Sequence, residues 1–138
     1  MTRLTPYLSF RTEAREALEL YRSALGGNLE ITTFGDFPGM VDDEAEAHLV
    51  MHGQLDTPGG LTLMAADTPS SMPYAAPSGG VTVALTGGPE DLEDVRRAIE
   101  VLLDGATDVL PFEPAPWGDH YGQLTDRHGV PWMFDVGP

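Results

Sequence analysis

The amino-acid sequence predicts an α+β fold in which two βαβββ modules follow one another and form a curled mixed sheet. In the first half of the chain the predicted elements run strand, helix, strand, strand, strand, and the second half repeats this order. Each half has one stretch with apolar residues at helical spacing, among short strand-like stretches bounded by glycine and proline. The 138 residues fit one domain, with modules at 1–66 and 80–138 and a linker at 67–79.

The first module is predicted from local signals. A strand at 4–10 leads into a helix that Thr12 is expected to cap, and Gly26-Gly27 ends that helix. An acidic loop is expected at 36–46. One face of the helix is apolar, through Ala14, Ala17, Leu18, Tyr21 and Leu25. The other strands of the module are predicted at 28–35, 47–55 and 61–66.

The second module repeats these signals after the linker. Prolines and small polar residues predict that 67–79 is irregular. Gly88-Pro89 opens the second helix, because proline favours the first helical turn, and Gly105 ends it. Strands are predicted at 80–86, 107–112, 117–125 and 130–136. Two half-sheets, each covered by a helix on one face, leave free faces that can curl into a cup.

The composition excludes several classes of function. The chain has no cysteine, which excludes disulfides, zinc–thiolate sites and thiol nucleophiles. Its 22 acidic residues against 7 basic ones give a net charge of −15, so we expect no nucleic-acid or membrane partner. No apolar stretch approaches the roughly 18 residues that span a bilayer, and the first ten residues lack the features of a signal peptide. A cytoplasmic location is therefore expected.

Local stretches along nearly the whole chain carry a family resemblance. In the first module they are Pro6–Phe10, Ala14–Tyr21, Ala24–Gly27, Met51-His52, Gly59-Gly60 and Leu63–Asp67. In the second module they are Trp117–Asp126, Gly129 and Trp132-Met133. These stretches resemble PhnB-like proteins, a branch of the vicinal-oxygen-chelate superfamily, which is also called the glyoxalase/bleomycin resistance protein/dioxygenase superfamily. The resemblance implies the paired-module glyoxalase/bleomycin resistance fold, usually completed as a homodimer.

The resemblance also implies where a metal would bind. In metal-dependent members a His on the first strand and a Glu or Gln on the fourth strand of a half bind a divalent ion, with a similar pair from the other half. Here these positions fall on Pro6, Met64 and Met133, and no His, Glu or Asp lies between Gly79 and Gly88. Proline has no ligand atom, and a thioether is a poor ligand for hard or borderline ions. We therefore expect no metal at the usual positions and no cofactor.

His52 is the candidate ligand contact of the first module, since it matches the family pattern. Side-chain alternation along a strand puts His48, Val50, His52 and Gln54 on one face, which would look into the cup. His52 would then contact a ligand or act as a general base, or it is only a hydrogen-bonded histidine at a strand edge. His48 and His52 would lie about 13 Å apart on an undistorted strand, too far to share a metal ion.

Trp117, Tyr121 and Gln123 are the candidate ligand contacts of the second module. Together with Asp119 they alternate onto one face of their strand, where aromatic and amide groups suit a flat or polar small molecule. Packing at a module or dimer interface is the alternative explanation for them. Gly118 and Gly122 share the opposite face and predict the close approach of another element.

The sequence leaves three functions open and identifies no catalytic residue. The first is a protein that binds a small organic molecule in a metal-free cup. The second is a metal-dependent lyase, isomerase or dioxygenase with relocated ligands, for which His52, Glu44 and Glu46 are candidates. The third is a structural homodimer whose cup is vestigial. Fold alone does not decide among them.

Overall fold

The computed structural model of this protein describes residues 3–77 and 80–138. Ser78 and Gly79, at the end of the predicted linker, lie outside the described residues, as do the first two residues of the chain. The chain divides into two compact units, the first formed chiefly by residues up to Ala76. Each unit has its own mixed four-stranded sheet. The predicted α+β fold of two tandem βαβββ modules is therefore confirmed.

The first unit has four strands and one long helix. They are β1 (Tyr7–Phe10), α1 (Ala14–Leu25), β2 (Asn28–Thr33), β3 (Val50–Asp56) and β4 (Thr62–Asp67). The sheet order is β1-β4-β3-β2, with β1 parallel to β4 and the other pairs antiparallel. The predicted acidic loop is irregular apart from short 3-10 turns at Phe34–Asp36 and Glu44–Glu46.

Apolar periodicity explains how α1 covers one face of this sheet. Its buried residues are Ala14, Ala17, Leu18, Leu20 and Tyr21. On β4 the alternate residues Leu63 and Ala65 are buried, while their neighbours are only partly covered. Gly53 on β3 lies against α1, where a methyl group would meet the end of the Leu18 side chain. The opposite side of the sheet, called the free face below, carries the more exposed and polar residues.

The second unit repeats this topology. Its elements are β5 (Val83–Gly87), α2 (Leu92–Leu102), β6 (Thr107–Pro114), β7 (His120–Thr125) and β8 (Pro131–Val136). The sheet order is β5-β8-β7-β6, with β5 parallel to β8. A 3-10 turn at Pro89–Asp91 precedes α2, as the Gly88-Pro89 signal predicts. Met64 pairs with Gln54 in one sheet and Met133 pairs with Gln123 in the other, so the two units correspond at these positions.

The start of α1 differs from its prediction. Thr12 does not cap the helix: the residue before the first turn is Glu13, and it makes no side-chain cap. The N–H of Ala14 instead donates to Asp67 Oδ1 at 2.8 Å. Asp67 is the last residue of β4 rather than the first of the linker. A carboxylate distant in sequence therefore replaces the local cap.

None of the helices among the described residues is long and apolar enough to span a membrane.

Candidate functional site

The free face of the first sheet carries a row of three side chains. Tyr7 on β1 pairs with Met64 on β4, which in turn pairs with Gln54 on β3. Leu8 and Phe10 are buried under the helix, so alternation turns Tyr7 to the free face, where it is 51% exposed. The position beside Met64 is thus occupied by Tyr7 rather than by Pro6, which precedes the strand.

His52 lies next to this row, two residues before Gln54 on β3, and a bulge separates its face from that of Val50. The register between β2 and β3 shifts where Thr32 pairs with His52 and Thr33 pairs with Val50. Val50 is 1% exposed and packs on the helix side with Gly53, so the prediction that it shares a face with His52 is wrong. A bulge adds a residue and reverses the alternation beyond it. His52 itself stands on the free face against Tyr7, with ring centroids 5.6 Å apart.

A hydrogen bond joins Tyr7 and His52. The Tyr7 hydroxyl lies 3.1 Å from His52 Nδ1. Partial burial raises the pKa of Tyr7, so its hydroxyl keeps its proton and can donate to Nδ1. A neutral His52 that accepts at Nδ1 carries its proton on Nε2. The pair can therefore offer an imidazole N–H to an acceptor on a bound molecule.

The corresponding row in the second unit is Ala84, Met133 and Gln123. Gln123 and Tyr121 lie on the free face of β7, and the Gln123 amide donates to the Tyr121 hydroxyl at 2.6 Å. A cavity of about 280 Å³ opens on this side of the sheet. Its lining includes Thr82, Asp108, Tyr121, Gln123, Thr125 and Met133. Two of the predicted ligand contacts thus line one cavity.

Trp117 joins this group from outside the strand. It lies in the turn before β7, which begins at His120 rather than at 117. The Trp117 ring is 62% exposed and meets the Tyr121 ring edge-on, with centroids 5.6 Å apart and planes at 68°. The structure therefore brings Trp117, Tyr121 and Gln123 together in the second unit, whereas His52 belongs to the first.

One carboxyl group that the sequence did not single out, that of Asp135, stands on the same free face. Asp135 on β8 is the cross-strand partner of Tyr121, and Asp119 precedes Tyr121 by two residues. Interaction with the Asp119 side chain raises the pKa of Asp135 above its ordinary value. Oδ1 of Asp135 is buried and has no hydrogen-bond partner among the described residues. Sequence alternation alone could have placed Asp135 beside Met133 on this face.

The two glycines predicted to allow close approach have different roles. At Gly122 an added methyl carbon would lie 2.8 Å from Phe112 Cα, so β6 does approach closely there. Gly118 meets nothing within 4 Å, but its φ of +105° favours glycine and belongs to the turn that presents Trp117. The prediction is confirmed for Gly122 and wrong for Gly118.

A larger cavity, of about 440 Å³, lies on the helix side of the second sheet. Its lining is mostly apolar and includes Ile99, Leu103, Val109, Leu110 and Phe112. Its polar lining residues are Arg96, Glu100 and Gln123, and Gln123 borders the smaller cavity as well. Polar groups form a larger share of the smaller cavity's lining, and such groups orient a ligand in small-molecule sites. The smaller cavity on the free face therefore has the better chemistry for recognition.

The donors at the family's metal positions do not fit a divalent metal ion. The side chains that stand there are Tyr7 and Met64 in one unit and Ala84 and Met133 in the other. They offer a phenol, two thioethers and a methyl group, which suit hard or borderline ions poorly. Among residues 3–77 and 80–138, no three His, Asp or Glu side chains are grouped closely enough to hold an ion elsewhere.

Comparison with known proteins places the chain in a family. The sequence model of the Glyoxalase/Bleomycin resistance protein/Dioxygenase superfamily matches residues 3–134. The chain belongs to this superfamily. Protein YjdN of Escherichia coli strain K12 is 27% identical over 143 residues, which cover 96% of this chain and 94% of YjdN.

Solved structures agree with this assignment. The crystal structure of protein PA1353 from Pseudomonas aeruginosa is 32% identical, with a TM-score of 0.84, and the match covers 99% of this chain and 98% of PA1353. The PhnB protein from Bacillus cereus is 21% identical, with a TM-score of 0.70, over 99% of this chain and 100% of that one. The PhnB protein therefore shares the fold of this member of the superfamily.

Proposed function

We propose that this protein binds a small organic molecule on the free face of its second unit and uses no metal at the family's ligand positions. The cavity lined by Tyr121, Gln123 and Met133 is the observation that carries the proposal. Binding sites for small molecules combine apolar and aromatic walls with a few polar groups that fix orientation. Tyr121 would supply an aromatic wall and Gln123 an amide, and the Trp117 ring, which lies against Tyr121 outside the cavity lining, would extend the aromatic surface.

The size of the cavity sets the size of the ligand. At about 280 Å³ it lies near the lower end of the range for small-molecule sites. A ligand with one aromatic ring or a comparable flat group would fill it, with its polar end toward Gln123. The exposed ring of Trp117 would then gain a stacking partner.

The chemistry of the metal positions supports the metal-free part of the proposal. Met64 and Met133 are soft, flexible side chains that adapt to apolar groups more readily than they hold a hard cation. In the first unit, Tyr7 and His52 would contact a ligand through hydrogen bonds. We also propose a homodimer, on the basis of the family resemblance alone.

A ligand screen followed by matched variants tests this function. Thermal-shift screening of small aromatic compounds should find stabilising ligands, and isothermal titration should show their affinity falling by about tenfold in Gln123→Ala. Arg15→Ala, at an exposed position on α1, is the control and should bind normally. Loss of binding in both variants alike, or no stabilising ligand at all, would contradict the proposed site.

Elemental analysis tests the metal-free part separately. The protein purified without chelators and then dialysed against zinc or manganese should hold far less than one ion per chain. A stoichiometric ion that Met64→Leu or Met133→Leu removes would contradict metal-free binding.

A further inference from the structure

The edge strand of the second sheet carries an extra residue beside the free-face cavity. Between the partners of Thr125 and Gln123, β6 has two residues, Asp108 and Val109, where β7 has a single one. A bulge of this kind bends the strand and changes the direction of its side chains. Asp108 lines the free-face cavity, whereas Val109 lines the larger cavity on the helix side. The bulge therefore brings a carboxyl group to the cavity of the proposed site.

The corresponding strand pair of the first unit, β2 and β3, is regular at this place. Across residues 28–30 and 54–56, the partners of Asp56 and Gln54 are separated by Leu29 alone. The two sheets share one topology, so the extra residue of β6 is a local difference between the units. This difference lies at the cavity and supplies it with an acidic group.

The backbone at Asp108 is held in an uncommon conformation. Asp108 has a φ of 52°, and it is the one non-glycine residue with a positive φ among residues 3–77 and 80–138. Aspartate tolerates this left-handed region better than most residues do. Strand pairs on both sides of the bulge fix the position of Asp108, so its carboxyl group belongs to the sheet rather than to a connecting loop.

The polar groups of the cavity favour a ligand that donates hydrogen bonds. The carboxylate of Asp108 can only accept them. The Gln123 amide nitrogen donates to the Tyr121 hydroxyl at 2.6 Å, which leaves the Gln123 carbonyl oxygen to accept from a ligand. No arginine or histidine is among the described residues that line the cavity, and Asp108 takes part in none of the ion pairs that these residues form. A bound molecule can therefore supply the cationic partner of this carboxylate.

We propose that the free-face cavity of the second unit recognises a small planar molecule of the amidinium class, and that Asp108 sets this specificity. An amidinium presents two N–H donors on one edge, which match the two oxygens of a carboxylate in a bidentate pair. A ring attached to it would lie against Tyr121 and Met133, which line the same cavity. The inference rests on the proposed function and adds the chemical class of the ligand.

Three probes of nearly the same flat shape separate the polar edge of the ligand from its ring. Benzamidine presents N–H donors and a positive charge, benzamide presents an N–H donor and a carbonyl oxygen, and benzoate presents only oxygens and a negative charge. Isothermal titration of the full-length protein should show an affinity for benzamidine about tenfold or more above that for benzamide. Benzoate should not bind, because its carboxylate would face that of Asp108.

Substitutions of Asp108 give the decisive comparison. Asp108→Asn keeps the shape of the side chain and tolerates the same backbone conformation, and it should weaken benzamidine binding by about tenfold while changing benzamide binding by less than about twofold. Asp108→Gly, which also fits a positive φ, should show the same loss of benzamidine binding. Urea unfolding checks that each variant is folded.

Asp42→Asn is the matched control for charge. Asp42 is exposed in the acidic loop of the first unit and does not line the cavity, so this substitution removes the same charge elsewhere and should leave benzamidine binding unchanged. Equal losses in Asp42→Asn and Asp108→Asn would mean only a general attraction of cations to an acidic protein and would overturn the inference.

The remaining outcomes separate the inference from the proposed function. If benzamide or benzoate binds as tightly as benzamidine and Gln123→Ala weakens that binding, the proposed function stands and the amidinium class is overturned. Benzamidine binding that survives both substitutions of Asp108 would overturn the role of this residue. If none of the three probes binds, the inference is also overturned, while the broader ligand screen still tests the function.

Discussion

Replacing Asp67 by asparagine is expected to destabilise the first unit and to disturb the strand that carries His52. Asp67 is 6% exposed and accepts the N–H groups of Ala14 at 2.8 Å and Val50 at 2.9 Å. It thereby ties β4 to the start of α1 and to the bulged end of β3. Asparagine has nearly the same shape, but it keeps one acceptor oxygen and turns an N–H donor toward the other backbone N–H.

The size of the effect follows from these two contacts. Losing one hydrogen bond to a charged acceptor should lower the free energy of unfolding by about 2 kcal/mol near neutral pH. For a chain of this length that corresponds to a fall in Tm of roughly 6–10 °C. Urea unfolding followed by circular dichroism measures the loss, with an unchanged m value. The control Glu100→Gln should stay within about 0.5 kcal/mol of the wild type.

The difference between Asp67→Asn and the wild type should depend on pH with a definite sign. Burial raises the pKa of Asp67 above its ordinary value of 3.8, and the two backbone hydrogen bonds oppose this only in part. A carboxyl group whose pKa is raised by folding adds stability that is complete below the unfolded-state pKa and is lost as pH rises through the folded-state pKa. The free energy of unfolding of Asp67→Asn should therefore lie further below that of the wild type at about pH 4 than at about pH 7.

Two results would refute this reasoning. A loss below about 0.5 kcal/mol at both pH values would show that the two hydrogen bonds contribute little. A loss that grows with pH would show that the hydrogen bonds, rather than burial, dominate the pKa of Asp67.

Three further predictions concern packing, the first free face and charge. Gly122→Ala should lower the free energy of unfolding by about 1–3 kcal/mol, because its methyl group would meet the backbone of Phe112. Gly53→Ala should cost less, because its methyl group would meet the movable end of the Leu18 side chain, and equal urea midpoints for the two variants would contradict this. Tyr7→Phe should change the tautomer ratio of His52 in long-range nitrogen spectra, and an unchanged ratio would mean that the hydrogen bond does not form in solution. Sodium chloride at about 1 M should raise Tm, since it screens a net charge of −15, and a fall in Tm would count against self-repulsion.

Local sequence signals predicted the elements but not the contacts that join them. The helical spacing of apolar residues and the Gly88-Pro89 signal identified both helices, since these depend on near neighbours in the chain. The cap of α1 could not be predicted in this way, because Asp67 reaches Ala14 across the whole unit. The bulge before His52 was missed for the same reason, since it depends on register against β2.

The candidate site was predicted in part. Alternation placed Tyr121 and Gln123 on one face correctly because β7 is regular there. Tyr7 was missed because the family resemblance put the first-strand position on Pro6. Neighbouring residues on a strand point to opposite faces, so a difference of one residue changes which side chain reaches the free face. Asp135 could have been placed on this face by alternation from Met133, but its pairing with Tyr121 depends on the register between β7 and β8, which local signals do not give.

In each unit the first strand pairs in parallel with the last strand, and this pairing affects how the unit folds. Tyr7 finds its partner only at Met64, and Val83 only at Trp132, so almost the whole of each unit lies between them. The antiparallel hairpins can close early from nearby segments, whereas each parallel pair must enclose a long loop first. We therefore expect β1 and β5 to dock late. Until then β4 and β8 would each expose an unpaired edge to other chains, which makes slow refolding and aggregation at high concentration the natural hazards of this topology.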